Sequence, residues 1–141
     1  MRLPKTDWIL ATTLVAYIVC DVLLTPPAGL ETRNPARVTG VGIAALVLLF
    51  VGLALSILAL VLLFRRSRRT PIVAIIAVVL FLPAFLSEQT GNFSSLHPPT
   101  SIERIEIIQM VVVVLSLVAS AGLLRRVRSG QARDLEQRPW G

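Results

Sequence analysis

The chain holds one cysteine, Cys20, and one histidine, His97. A lone cysteine excludes an intramolecular disulfide, and with it any thiol–disulfide chemistry that relies on the chain's own cysteine pair. A lone histidine excludes a haem held by two histidines of the same chain. No His-Glu-x-x-His or other ligand-spaced pair is present. Charge is scarce too: Asp, Glu, Lys and Arg make up 16% of the residues, against roughly 25% in an ordinary soluble domain. No catalytic or nucleotide-binding motif occurs, and the polar stretches are too short for an independent domain. These absences point away from an enzyme and away from a resident cofactor.

What the chain does have is length of apolar sequence. Hydrophobic residues make up 55% of it, and the mean hydropathy is +0.77. Four runs carry most of this: Trp8–Leu24, Val41–Phe64, Pro71–Leu86 and Ile105–Leu124. A hydrocarbon layer about 30 Å thick is crossed by about 20 apolar residues in a helix. Val41–Phe64 has no charge, and Ile105–Leu124 has only Glu106, near its start. A soluble four-helix bundle would need a polar face on each helix, and Val41–Phe64 and Pro71–Leu86 have none. The fold class expected is therefore all-α: one domain of four transmembrane helices in a small up-down bundle, with residues 125–141 as a basic tail. A cleaved signal peptide is the alternative for the first run, but Pro26 and Pro27 sit where the cleavage site would fall, so a retained helix is expected.

Charge sets the orientation. With four spans, eleven basic residues share a side with the termini and the middle loop: Arg2, Lys5, Arg65, Arg66, Arg68, Arg69, Arg125, Arg126, Arg128, Arg133 and Arg138. Only Arg33, Arg37 and Arg104 fall on the other side. The positive-inside rule then places both termini in the cytoplasm of a multi-pass cell-membrane protein. The net charge of +6 is explained by arginines at the ends of spans, which meet anionic headgroups at about 1 kcal/mol each. Nucleic acid is not an expected partner; the bilayer, and another membrane protein or a second copy, are.

Local signals refine this outline. Thr6 or Asp7 is expected to cap the first helix, and Pro26–Pro27 to end it. Trp8 stands where an interfacial anchor belongs. Thr70 is expected to cap the third helix, with Pro71 in its first turn, and Pro83 to loosen its last turn. Thr100 and Glu103 have capping-box spacing ahead of the fourth helix. Gly52 with Ser56, and Ser116 with Ser120, are small residues four apart, which let helices approach closely. Asn92-Phe93-Ser94 matches a glycosylation acceptor, whose use depends on the host.

One polar constellation stands out, at the outer ends of the helices: Asp21, Glu88, Gln89, His97, Glu106 and Gln109, with Tyr17 beneath. Thr13, Tyr17 and Asp21 follow at i, i+4 and i+8, one helix face. A carboxylate unpartnered in lipid is costly, so Asp21 is expected to face protein or an aqueous cavity. Such a set would bind a divalent cation, relay protons or receive a cationic solute; as interfacial caps and anchors the same residues need no ligand.

In length and span count the chain resembles the small multidrug-resistance transporters. That family depends on a glutamate well inside the first helix. Here that helix has Thr12, Thr13 and Tyr17, with Asp21 displaced toward its outer end. The expected function is therefore a small non-enzymatic membrane protein, an accessory or assembly subunit of a membrane complex. The alternative is a small homo-oligomeric transporter or channel for a cation or cationic solute, using the outer carboxylates.

Overall fold

A computed structural model describes the backbone of residues 5–30, 39–90 and 100–136, and the side chains of 5–23, 39–87, 90 and 104–129. Five helices follow in order: α1 (Lys5–Leu30), α2 (Gly40–Phe64), α3 (Thr70–Val79), α4 (Phe81–Gln89) and α5 (Thr100–Glu136). No strand occurs among the described residues. Four stretches are long and apolar enough to cross a membrane: Lys5–Leu23, Gly40–Phe64, Thr70–Ser87 and Arg104–Ser129.

The third of these is two helices, not one. Pro83 has no N–H to give the carbonyl of Val79, and its ring crowds that carbonyl. α3 accordingly ends at Val79, Leu80 is a turn, and α4 begins at Phe81. The proline therefore acts one turn upstream of where the sequence suggested. Conversely, Pro26 and Pro27 do not end α1, which continues to Leu30. A proline ring holds φ near the helical value and removes one donor, so the backbone can carry the helix past both. α1 also begins at Lys5, so Thr6 and Asp7 lie inside its first turn rather than ahead of it. Thr70 is the first residue of α3, with Arg69 at the cap position, and its hydroxyl donates to the Ser67 carbonyl at 2.8 Å. α5 begins at Thr100, but the side chains of Thr100 and Glu103 lie outside the described residues, as does Asn92-Phe93-Ser94. With 37 residues, α5 is about 55 Å long. It carries Arg125, Arg126 and Arg128 onward as helix, so the segment after Leu124 is helical as far as Glu136.

The α2–α3 turn is tight and closed by backbone hydrogen bonds. The Arg66 N–H donates to Leu63 O and the Ser67 N–H to Leu62 O, at 3.0 and 2.9 Å. This pair of bonds is the Schellman ending of a helix, whose left-handed position normally takes glycine. Here Arg66 fills it, at φ 53.

Packing is inverted relative to a water-soluble bundle. α1 lies against α5 and α2, and α3 lies against α2 and α5. The buried faces are rich in small residues: Gly42, Ala45, Gly52, Ser56 and Ala59 on α2, Ala74 and Ala77 on α3, Ser116, Ala119 and Ser120 on α5. Large side chains turn outward instead: twenty-six are exposed among the described residues, including Phe50, Phe64, Ile76 and Val118. Water would drive those residues inward; a hydrocarbon solvent leaves helix contact to close packing and polar bonds. At Gly52 the backbones of α2 and α3 approach closely: a Cβ there would stand 2.8 Å from the Ala77 carbonyl oxygen and 3.2 Å from Leu80 Cβ.

Two outcomes are expected in thermal or denaturant unfolding of the detergent-solubilised protein. Gly52→Ala should destabilise it by about 1–3 kcal/mol, because backbone rather than a mobile side chain must move. Arg66→Gly should stabilise it by about 1 kcal/mol, by relieving the left-handed arginine.

Candidate functional site

α1 and α5 run antiparallel, with Thr6 beside Gly122 at one end and Asp21 bonded to Gln109 at the other. On α1 the residues turned inward include Leu10, Ala11, Thr13, Leu14, Tyr17, Cys20 and Asp21. On α5, Glu106, Gln109, Val113, Ser116 and Ser120 form a matching seam. Steps alternating between three and four residues keep each seam on one face of its helix.

The seam's polar centre is the Gln109 amide, whose Nε2 donates to Asp21 Oδ1 at 2.7 Å. Asp21 is 2% exposed and Gln109 fully buried, so the bond forms out of contact with the surroundings. The length lies at the short end of the N–H···O range. Tyr17 lies one turn before Asp21, with its hydroxyl beside the same carboxylate, though not aligned with it as a hydrogen bond. The ring packs edge-on against Phe81, centroids 6.3 Å apart, and the hydroxyl lies near the space over Gly52. Tyr17 thus links α1 to α2 and to the start of α4. Glu106 is buried one turn before Gln109 on the same face of α5. The Oε1 of the Gln109 amide and the hydroxyls of Ser116 and Ser120 are buried without a hydrogen-bond partner among the described residues.

Of the six outer-side residues picked from the sequence, the structure joins Asp21 and Gln109 and buries Glu106 on the same seam. The Glu88 and Gln89 side chains and all of His97 lie outside the described residues. Gly52 sits within the chain's own α2–α3 contact, and one turn on the buried Ser56 hydroxyl donates back to the Gly52 carbonyl at 2.9 Å. Ser116 and Ser120 are fully buried on the α5 seam. Among the described residues no three His, Cys, Asp or Glu side chains come together as a metal would need. Cys20 is free and buried beside Asp21 in sequence.

A second feature had no signal in the apolar pattern. At the opposite end, Asp7, the Arg66–Arg68 turn and the C-terminal half of α5 enclose a cleft. Asp7 is fourteen residues from Asp21 on α1, about 21 Å along the helix. The sequence showed its arginines only as anchors at span ends, because their convergence with Asp7 depends on how α1, α2 and α5 pack.

A double-mutant cycle on Asp21 and Gln109 should return a coupling of about 1 kcal/mol, the upper part of the range for hydrogen bonds between membrane helices. Gln109→Leu alone should cost about 3 kcal/mol, because it strands a buried carboxylate. Adding Asp21→Leu to Gln109→Leu should recover no more than that coupling, about 1 kcal/mol of the loss, in the same unfolding measurement. No protein-family model matches the chain, and no curated protein or solved structure is significantly similar to it.

Proposed function

We propose that the chain is a non-enzymatic, multi-pass protein of the cell membrane that serves as an accessory or assembly subunit of a larger membrane complex. In this reading its four spans form an up-down bundle with both termini in the cytoplasm, where the excess of arginine lies. The observation that carries it is how the polar groups are used. Asp21, Gln109 and Ser56 bond within the bundle, while the outward faces present large apolar side chains. α2 is the most outward of the helices: it buries 22% of its most apolar stretch, against 44% for Thr70–Ser87. A helix with so little of itself covered by its own chain is suited to lie against lipid or a neighbouring subunit.

One observation favours a second reading, a small homo-oligomeric transporter or channel for a cation or cationic solute. Asp21 and Glu106 are buried carboxylates on adjacent helices, and intramembrane carboxylates commonly mark ion or proton pathways.

Assembly mass in native nanodiscs, with identification of co-purifying chains, separates the two. A reproducible, different partner chain is the expected result; a discrete homo-oligomer without other chains would sink the subunit reading. Asp21→Asn, which keeps an acceptor for Gln109, should leave the protein folded and its partner retained to within about twofold. Abolished cation flux in liposomes by the same folded variant would establish transport instead.

A further inference from the structure

The cleft at the arginine-rich end measures about 180 Å³ and is lined by Asp7 from α1, Arg66, Ser67 and Arg68 from the α2–α3 turn, and apolar side chains that include Leu63 and Leu123. Its place along the bundle is the boundary where apolar sequence gives way to charge: α2 ends at Phe64 before Arg65, and α5 passes Leu124 before Arg125. In a membrane-spanning protein that boundary lies at the level of the lipid headgroups.

Two cationic side chains and one carboxylate face this space, yet none of the three forms an ion pair among the described residues. Asp7 is half-buried rather than held out in solvent. A cleft lined by arginine alone would suit any anion, and Asp7 would repel it. A ligand carrying both a phosphodiester and a primary ammonium, a few bonds apart, satisfies both signs at once. Guanidinium groups match phosphate oxygens in geometry as well as charge, the Ser67 hydroxyl adds a donor, and a carboxylate accepts from an ammonium. The apolar wall formed by Leu63 and Leu123 suits the carbon chains below such a headgroup. The arginine at the left-handed position of the turn also fits: glycine would close that turn at less cost, and residues held in strained backbone conformations cluster at ligand-binding sites.

We propose that this cleft seats the headgroup of an aminophospholipid of the ethanolamine type, with its phosphodiester on Arg66 and Arg68 and its ammonium on Asp7. The proposal rests on the membrane-spanning reading and not on the subunit role.

The test uses the full chain in mild detergent, with lipid retention read by native mass spectrometry and stabilisation by thermal unfolding. The probes are phosphatidylethanolamine, phosphatidylglycerol with the same acyl chains, and inorganic phosphate. Phosphatidylethanolamine should bind roughly three- to tenfold more tightly than phosphatidylglycerol, the size of one added ion pair near a surface. Arg68→Gln should weaken both lipids, and Asp7→Asn should remove the preference while leaving phosphatidylglycerol binding intact or improved. Equal retention of the two lipids, an unchanged preference in Asp7→Asn, or inorganic phosphate displacing lipid as well as soluble phosphoethanolamine does would overturn the assignment. If Asp7→Asn does not fold, competition on the wild-type protein decides: phosphoethanolamine should displace lipid better than glycerol phosphate, and parity refutes the role of Asp7. Alkaline carbonate extraction of the same membranes tells the two failures apart, since an extractable chain defeats the membrane reading itself.

Discussion

A carboxylate inside an apolar helix has to be met by another part of the chain, and Asp21 is met by Gln109, 88 residues away. In hydrocarbon there is little hydrophobic drive to bring α1 and α5 together, since lipid tails solvate their outer faces as well as a neighbour would. A polar bond between them is different, because lipid cannot replace it. It fixes the register of α1 on α5, and that register sets what lies elsewhere on both helices. Tyr17, one turn from Asp21, reaches Phe81 and the space over Gly52. At the far end Thr6 is brought beside Gly122, and Asp7 into the cleft with Arg66 and Arg68.

The second pair of helices is held by shape more than by polar bonding. Gly52 lets the α2 backbone come within contact of the Ala77 carbonyl, and Ala74, Ala77 and Ala84 keep the opposing α3–α4 surface low. Close backbones gain dispersion contacts that large side chains would prevent. The Ser56 hydroxyl turns back onto its own helix at Gly52 O, so it satisfies itself without asking anything of α3. The break at Leu80 falls opposite Gly52, where the smooth side of α2 leaves room for α3 to end and α4 to begin on a new line.

The apolar runs were legible because a bilayer imposes length and composition on any helix that crosses it; three of them lie within single helices, and Pro71–Leu86 is divided between α3 and α4. Asp21 and Gln109 were legible as polar residues in apolar surroundings, but not as partners, since only the packed register shows which of several polar side chains meet. Local rules read too strongly failed in the opposite direction. Pro26 and Pro27 looked like a stop, although a proline's φ is compatible with the helix it weakens. Pro83 looked like a disturbance of the turn after it, although the carbonyl it deprives and crowds belongs to Val79, a turn before. The cleft was hidden because it is assembled from three segments, each of which alone reads as a solvated helix end.

The two ends of the bundle differ in composition, and α5 joins them as one helix from Thr100 to Glu136. Its seam is polar at Glu106 and Gln109, apolar at Val112 and Val113, and small at Ser116, Ala119 and Ser120. α1 and α3 both pack on that seam, whereas α2 touches α1, α3 and α4 from the side. Removing α2 from such an arrangement would expose mostly small side chains, while removing α5 would strand Asp21. α5 is therefore the element on which the bundle depends, and α2 the element whose outer face remains available to the surroundings. A chain built this way keeps its polar bonding for internal register and leaves one long, uncharged, large-residue helix at its edge. That division is the physical basis for proposing α2, rather than the Asp21 centre, as the surface that would meet a partner subunit.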